Sequence, residues 1–298
     1  MNRNPIAVFD SGLGGLTVVQ QLLRHLPNER IVYFGDTARV PYGIKSAETV
    51  TRFVEEDIEF LLGFEPKLII AACNTASAAA LPRLRNRYRV PLMGVVEPGA
   101  AAAIGKTRNF RIGVIGTEAT VCSESYTRCI KRACPQAQVF AKACPLLVPM
   151  VEEGRDARDP LVLLALAEYL LPMKDAGIDT LVLGCTHYPL LKSGISDVLG
   201  EGVQIVDSAT QTAIDAMQIL GTHSTRASAR GATVAGTRVR HRFFASDHPE
   251  RFAALGRRFL GQALESVELV QPELMNGRCK LKAVGPGSVE MPVLAAQE

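Results

Sequence analysis

Hydrophobic residues recur along this chain in short unbroken runs that stop abruptly at small polar residues. Such runs occupy residues 6–9, 31–34, 68–72, 91–95, 112–115, 138–141, 181–183 and 204–206. Runs of strand length without polar alternation predict strands buried on both faces, as in a parallel sheet covered by helices. Helical periodicity fills several of the gaps, over 16–25, 46–63, 74–88 and 159–171. Ser46 suits the N-cap of the second helix, although Thr49 is too short to complete a capping box. Pro160 fits a first helical turn, whereas Pro82 is awkward inside the third helix. Further on, the pattern predicts a helix over 208–220 and a strand over 242–245. SDHPERF then opens a helix with Ser246 or Asp247 as cap and Pro249 in its first turn, followed by a last strand over 267–270. Residues 221–238 read as an exposed basic loop, and no pattern follows Pro272.

The run of elements starts over near its middle. Ile6-Ala7-Val8-Phe9-Asp10-Ser11 matches Ile112-Gly113-Val114-Ile115-Gly116-Thr117, and Val40-Pro41 matches Val148-Pro149. Cys73 matches Cys185, and Val95-Val96-Glu97-Pro98 matches Ile205-Val206-Asp207-Ser208. Four matches in one order predict two pseudo-equivalent α/β units, with a boundary near Glu97 and the second unit ending near Asp207.

Composition narrows the class. The chain has 298 residues, 47% hydrophobic and 21% charged, which fits one large or two ordinary globular domains and opposes wholesale disorder. A net charge of +3 is too small to argue for nucleic acid. No apolar run approaches the length of a membrane span, and the first is too short for a secretory signal. Seven cysteines, an odd count without regular spacing, fit a reducing cytoplasm better than a disulfide framework.

Two of those cysteines carry the chemistry. LIIAACNTASA and LVLGCTHYPLL each end a buried strand in a thiol followed by small polar residues. Ligand sites of α/β folds lie just beyond such carboxyl ends. DSGLGG invites a dinucleotide reading, but GxGxxG needs glycine where Thr17 stands, and a turn aiming backbone N–H groups at a carboxylate fits better. Cys185 and His187 are two metal ligands where structural zinc wants four. A Cys–His hydrolase would use one thiolate and leave the mirrored cysteine idle. Inverting a carbon centre uses both, with a base on one face and an acid on the other. Thiols suit that exchange because their unperturbed pKa, about 8.5, lies near working pH. Asp10 and His187, near the strand tips, are placed to tune them.

FDSGLGGLTV, YFGDTARVPYG, ACNTASA, GVIGTEAT, CPLLVPMVEEG, LGCTHYPLL and IVDSA, in this order, resemble the bacterial glutamate racemases. These belong to the cofactor-independent aspartate/glutamate racemase superfamily. The resemblance covers residues 6–209 densely and resumes in RFFASDHPERF and RRFLG. It implies a fold of two parallel-sheet α/β domains facing across a cleft, residues 1–97 with 209–298 forming one and 98–208 the other. It implies interconversion of L- and D-glutamate without cofactor or metal, supplying D-glutamate for peptidoglycan. Cys73 would serve the D-enantiomer and Cys185 the L-enantiomer, with Asp10 assisting the first and His187 and Glu152 the second. Ser11, Asn74, Thr75 and Thr186 would bind the α-carboxylate and amino group, and Tyr42, Gly43, Thr117 and Thr120 would complete the pocket. A homodimer with no nucleic-acid or membrane partner is also implied. Racemisation of aspartate and non-catalytic amino-acid binding are the alternatives.

Overall fold

The structure, a computed structural model, describes residues 4–222, 240–262, 264, 266–275 and 278–284. Two sheets organise it. The larger is built on strands β1 (Ile6–Asp10), β2 (Ile31–Gly35), β3 (Leu68–Ala71) and β4 (Leu92–Gly94). The smaller consists of β5 (Arg111–Gly116), β6 (Gln138–Ala143), β7 (Thr180–Gly184) and β8 (Gln204–Asp207). Their spatial orders are β2-β1-β3-β4 and β6-β5-β7-β8, so each strand of the first has its counterpart in the second. All these pairings are parallel. The register repeats as well: Ile6 lies opposite Leu68, and Ile112, its match, lies opposite Thr180. Cys73 and Cys185 follow those partners at equal separation, so the expected equivalence of the two thiols is a property of the backbone.

Continuous apolar runs are explained by burial on both faces. Successive strand residues point to opposite sides, so Ile6 and Val8 join one hydrophobic cluster while Ala7 and Phe9 join another. Helices supply the covering layers: α1 (Leu16–His25), α2 (Ala47–Leu62), α3 (Asn74–Ala79), α4 (Leu81–Leu84) and α5 (Val96–Ile104) in the first part of the chain. They continue as α6 (Glu118–Cys122), α7 (Ser125–Ala133), α8 (Leu147–Glu152), α9 (Pro160–Asp175), α10 (Lys192–Leu199) and α11 (Ser208–Thr222). The chain then returns to the larger sheet through β9 (Arg242–Ala245), which pairs with β2, and α12 (Pro249–Leu260).

Caps behave as local chemistry requires. Ser46 Oγ accepts from Thr49 N at 3.2 Å, and Asp159 accepts from Leu161 N, with Pro160 opening α9. Such caps each contribute about 1 kcal/mol.

Several expectations are corrected. The single helix over 74–88 is two, α3 and α4, because Pro82 cannot donate to an i−4 carbonyl and instead occupies the first turn of a new helix. The strand expected over 91–95 ends at Gly94, and Glu97 lies in the first turn of α5 rather than following a strand tip. Neither Ser246 nor Asp247 caps α12; His248 holds that position in a left-handed conformation, and Ser246 Oγ bonds Asp36 and Ala38 instead. The last strand is longer than 267–270: β10 (Glu268–Met275) turns back antiparallel on β11 (Arg278–Val284) at the sheet edge. Of the basic stretch 221–238, Gly221 and Thr222 end α11 and residues 223–238 lie outside the described residues.

Candidate active site

The thiols sit where strands end. Cys73 follows β3 and N-caps α3, its sulfur accepting from Ala76 N at 3.5 Å and its S–H donating to Ser11 Oγ at 3.7 Å. Cys185 follows β7, with its sulfur 3.9 Å from His187 Nδ1. The two thiols are each 6% exposed and line one small cleft. Ser11, Tyr42, Gly43, Asn74, Thr75, Thr117, Thr186 and His187 line it with them. Val40 and Val148, the matched valines, face it from the two sides, although one lies in a loop and the other inside α8.

Each thiol has a different electrostatic neighbour. Asp10 ends β1, wholly buried, and accepts from Gly12 N at 2.9 Å and from Thr186 Oγ1 at 3.3 Å. Burial raises its carboxyl above the usual range, while the His187 charge and these hydrogen bonds pull the other way. Burial and then the Asp10 charge push the Cys73 thiol up to about 12, so Cys73 rests protonated. On the other side, His187 Nε2 pairs with Glu152 Oε1 at 3.1 Å. Burial opposes charge on that imidazole, but hydrogen bonds to Cys185 and Glu152 outweigh it and raise its pKa to about 10. His187 is therefore a cation at neutral pH. Glu152 stands behind it, bordering a second, open pocket that Leu13 and, from α12, Arg251, Phe252 and Leu255 also line.

That raised pKa has a stability consequence. The folded value, about 10, exceeds the unfolded one, about 6.5, so the contribution is complete below pH 6.5 and is lost as pH rises through 10. The stability advantage of the natural chain over His187→Gln should shrink steadily across that window in denaturant titrations. An advantage that grows with pH would contradict a cationic His187.

The polar floor of the cleft joins the two halves. Thr75 Oγ1 lies 2.9 Å from Thr117 Oγ1 and 3.2 Å from Thr120 Oγ1, and the latter two are 3.0 Å apart. Thr120 completes this triangle from behind the cleft lining. Asn74 Oδ1 accepts from Tyr126 OH at 2.7 Å, while its buried Nδ2 has no partner among the described residues. An unpaired buried amide is costly unless something fills the cleft to accept from it.

Tyr42 lines the cleft with its hydroxyl turned away. That OH donates toward Asp36 Oδ2 at 2.5 Å and Asp57 Oδ2 at 3.0 Å, a buried group that Arg39 also joins. The Tyr42 hydroxyl is thus engaged away from the cleft. Sequence reading missed Tyr126, whose partner is 52 residues away, and it placed Gly14 in a glycine turn without showing its approach to Thr186 and His187. A Cβ on Gly14 would collide with Thr186 Oγ1 and stand 2.8 Å from His187 Nδ1. One on Gly43 would stand 2.5 Å from Thr117 Cβ. The two halves thus meet at glycines.

Two thiols presented from equivalent strand tips to one cleft form the arrangement of an isomerase that works on both faces of a carbon. The chain matches the Asp/Glu/Hydantoin racemase family over residues 11–216, and it belongs to that family. It is 48% identical over 271 residues to the glutamate racemase of Geobacter metallireducens, across 90% of this chain and 97% of that one. A glutamate racemase isoform from Bacillus anthracis shares its structure with a TM-score of 0.82 at 41% identity, covering 91% of this chain and 98% of that one. The glutamate racemase of Francisella tularensis, solved in complex with D-glutamate, also gives 0.82, at 36% identity over 91% and 98%.

Proposed function

We propose that this chain interconverts L- and D-glutamate by two-thiol acid/base catalysis, without a cofactor, and supplies D-glutamate for peptidoglycan. The observation that carries the reading is the pair of thiols at register-equivalent strand tips in one cleft. Cys185, beside a cationic His187 oriented by Glu152, removes the Cα proton of the L-enantiomer. Cys73, which holds its proton beside Asp10, delivers it to the opposite face. The roles reverse for D-glutamate, with Asp10 receiving the Cys73 proton. Ser11, Asn74, Thr75 and Thr186 hold the α-carboxylate and amino group, the unpaired Asn74 amide being one donor. Gly43, the Tyr42 backbone and Thr117 hold the side-chain carboxylate, with Thr120 holding the Thr117 hydroxyl from behind. The larger sheet with its helices, residues 1–97 and 209–298, and the smaller, residues 98–208, serve as the two domains. A cytoplasmic homodimer is the working form the resemblance supports; no helix among the described residues is long and apolar enough to cross a membrane.

Circular dichroism of L-glutamate incubated with the purified protein, no cofactor added, tests the assignment. The signal should decay to zero, because mirror images have equal energy. Aspartate, one methylene shorter, cannot span the same pair of carboxylate sites and should turn over about 10- to 200-fold more slowly. Equal turnover of both would move the chain to another branch of the family. Binding of glutamate without decay would make it a binding protein.

A further inference from the structure

The last turn of α12 reaches across to the opposite half through Arg258 and Phe259. Arg258 Nη1 donates to Val151 O at 3.1 Å, and Nη2 donates to Arg155 O at 3.0 Å. Those carbonyls flank Glu152, the partner of His187. The carboxyl end of a helix carries partial negative charge, which a cation there balances, and Val151 O, already accepting from Gly154 N at 3.0 Å, gains Arg258 as a second donor. Gly154, at φ +94°, lies in the turn between the two carbonyls. The next residue, Phe259, meets the His187 ring edge-on at 5.3 Å. The helix itself is anchored on the other half. Phe252 packs on Tyr33, Gln20 Nε2 donates to Leu260 O at 3.0 Å, and Gly261 ends the helix in a left-handed conformation.

We infer that Arg258 is a positioning residue for racemisation: its guanidinium fork fixes the end of α8 so that Glu152 holds His187 against Cys185. The inference rests on the function proposed above. It also gives α12 a reason to return across the cleft, since one helix then couples the half bearing Cys73 to the proton-handling pair of the other half. Arginine suits the task because its planar fork reaches two carbonyls at once, which a lysine ammonium does less rigidly.

A double-mutant cycle with Glu152→Gln tests it. Arg258→Met, which keeps the apolar stem, should lower kcat/KM for glutamate by about 10- to 100-fold, the range for loss of an orienting partner. In the Glu152→Gln background it should change kcat/KM by less than about twofold, the scatter expected of uncoupled sites. Arg258→Lys should recover part of the loss. His187 faces Cys185, Glu152 and Asp10, and NMR of its ring should show it losing its proton at lower pH in Arg258→Met than in the natural chain. Equal losses in both backgrounds would mean that Arg258 merely stabilises the fold, and an unmoved His187 titration would also overturn the inference. Should Arg258→Met fail to fold, the same cycle and titration with Arg258→Lys decide. A natural chain inactive on glutamate would sink the functional reading instead, while the His187 titration would still judge Arg258.

Discussion

Serine in place of either Cys73 or Cys185 is expected to lower kcat/KM for glutamate by about 10²- to 10⁴-fold, the span of general acid–base catalysis. The loss should be the same from L- and D-glutamate. Mirror images have equal energy, so their equilibrium constant is unity and kcat/KM must match in both directions, whichever thiol is lost. The difference between the thiols appears in isotope exchange. In deuterated water the natural enzyme should give early D-glutamate carrying deuterium at Cα, while the remaining L-glutamate keeps mostly protium. Cys73→Ser keeps the base for the L-face, so slow Cα exchange without inversion should be confined to L-glutamate. Cys185→Ser should confine it to D-glutamate. The pairing follows from the cleft: a thiol on each side, one facing buried Asp10 and the other facing cationic His187. Product that retains its original proton, or inversion preserved in both single variants, would eliminate the two-face mechanism.

Gly14→Ala should be nearly as damaging although it removes no functional group. The added methyl would collide with Thr186 Oγ1 and stand 2.8 Å from His187 Nδ1. Thr186 donates to Asp10, and His187 approaches Cys185, so displacement disturbs both sides of the reaction at once. A shift of about 1 Å at such groups costs about 10²-fold in rate. Overpacking of this kind typically destabilises a fold by about 1–3 kcal/mol. The variant should therefore fold, melt somewhat earlier and turn over glutamate about 10²-fold more slowly. Natural activity in Gly14→Ala would show that the halves can part at this point without cost.

Much of the architecture was legible in local pattern. Apolar runs marked eight parallel strands, and the repeated order of Ile6, Val40, Cys73 and their matches predicted two equivalent units, whose shared strand order and register the structure then supplied. Ser46 and Asp159 cap helices as their chemistry requires. These features depend on neighbours within a few residues, or on one face of one strand, and a sequence displays both. Tertiary packing decided the rest. Whether Pro82 bends a helix or starts another depends on what its turn packs against, and the β10–β11 hairpin depends on an open sheet edge beside β9. The resemblance puts Tyr42 in the pocket, yet buried Asp36 and Asp57 claim its hydroxyl. The bonds that align the chemistry, Thr186 to Asp10 across 176 residues and Arg258 to Val151 across 107, leave no periodicity to read. They exist only because two sheets, each specified locally, bring their strand tips together, and distance in sequence carries no trace of that approach.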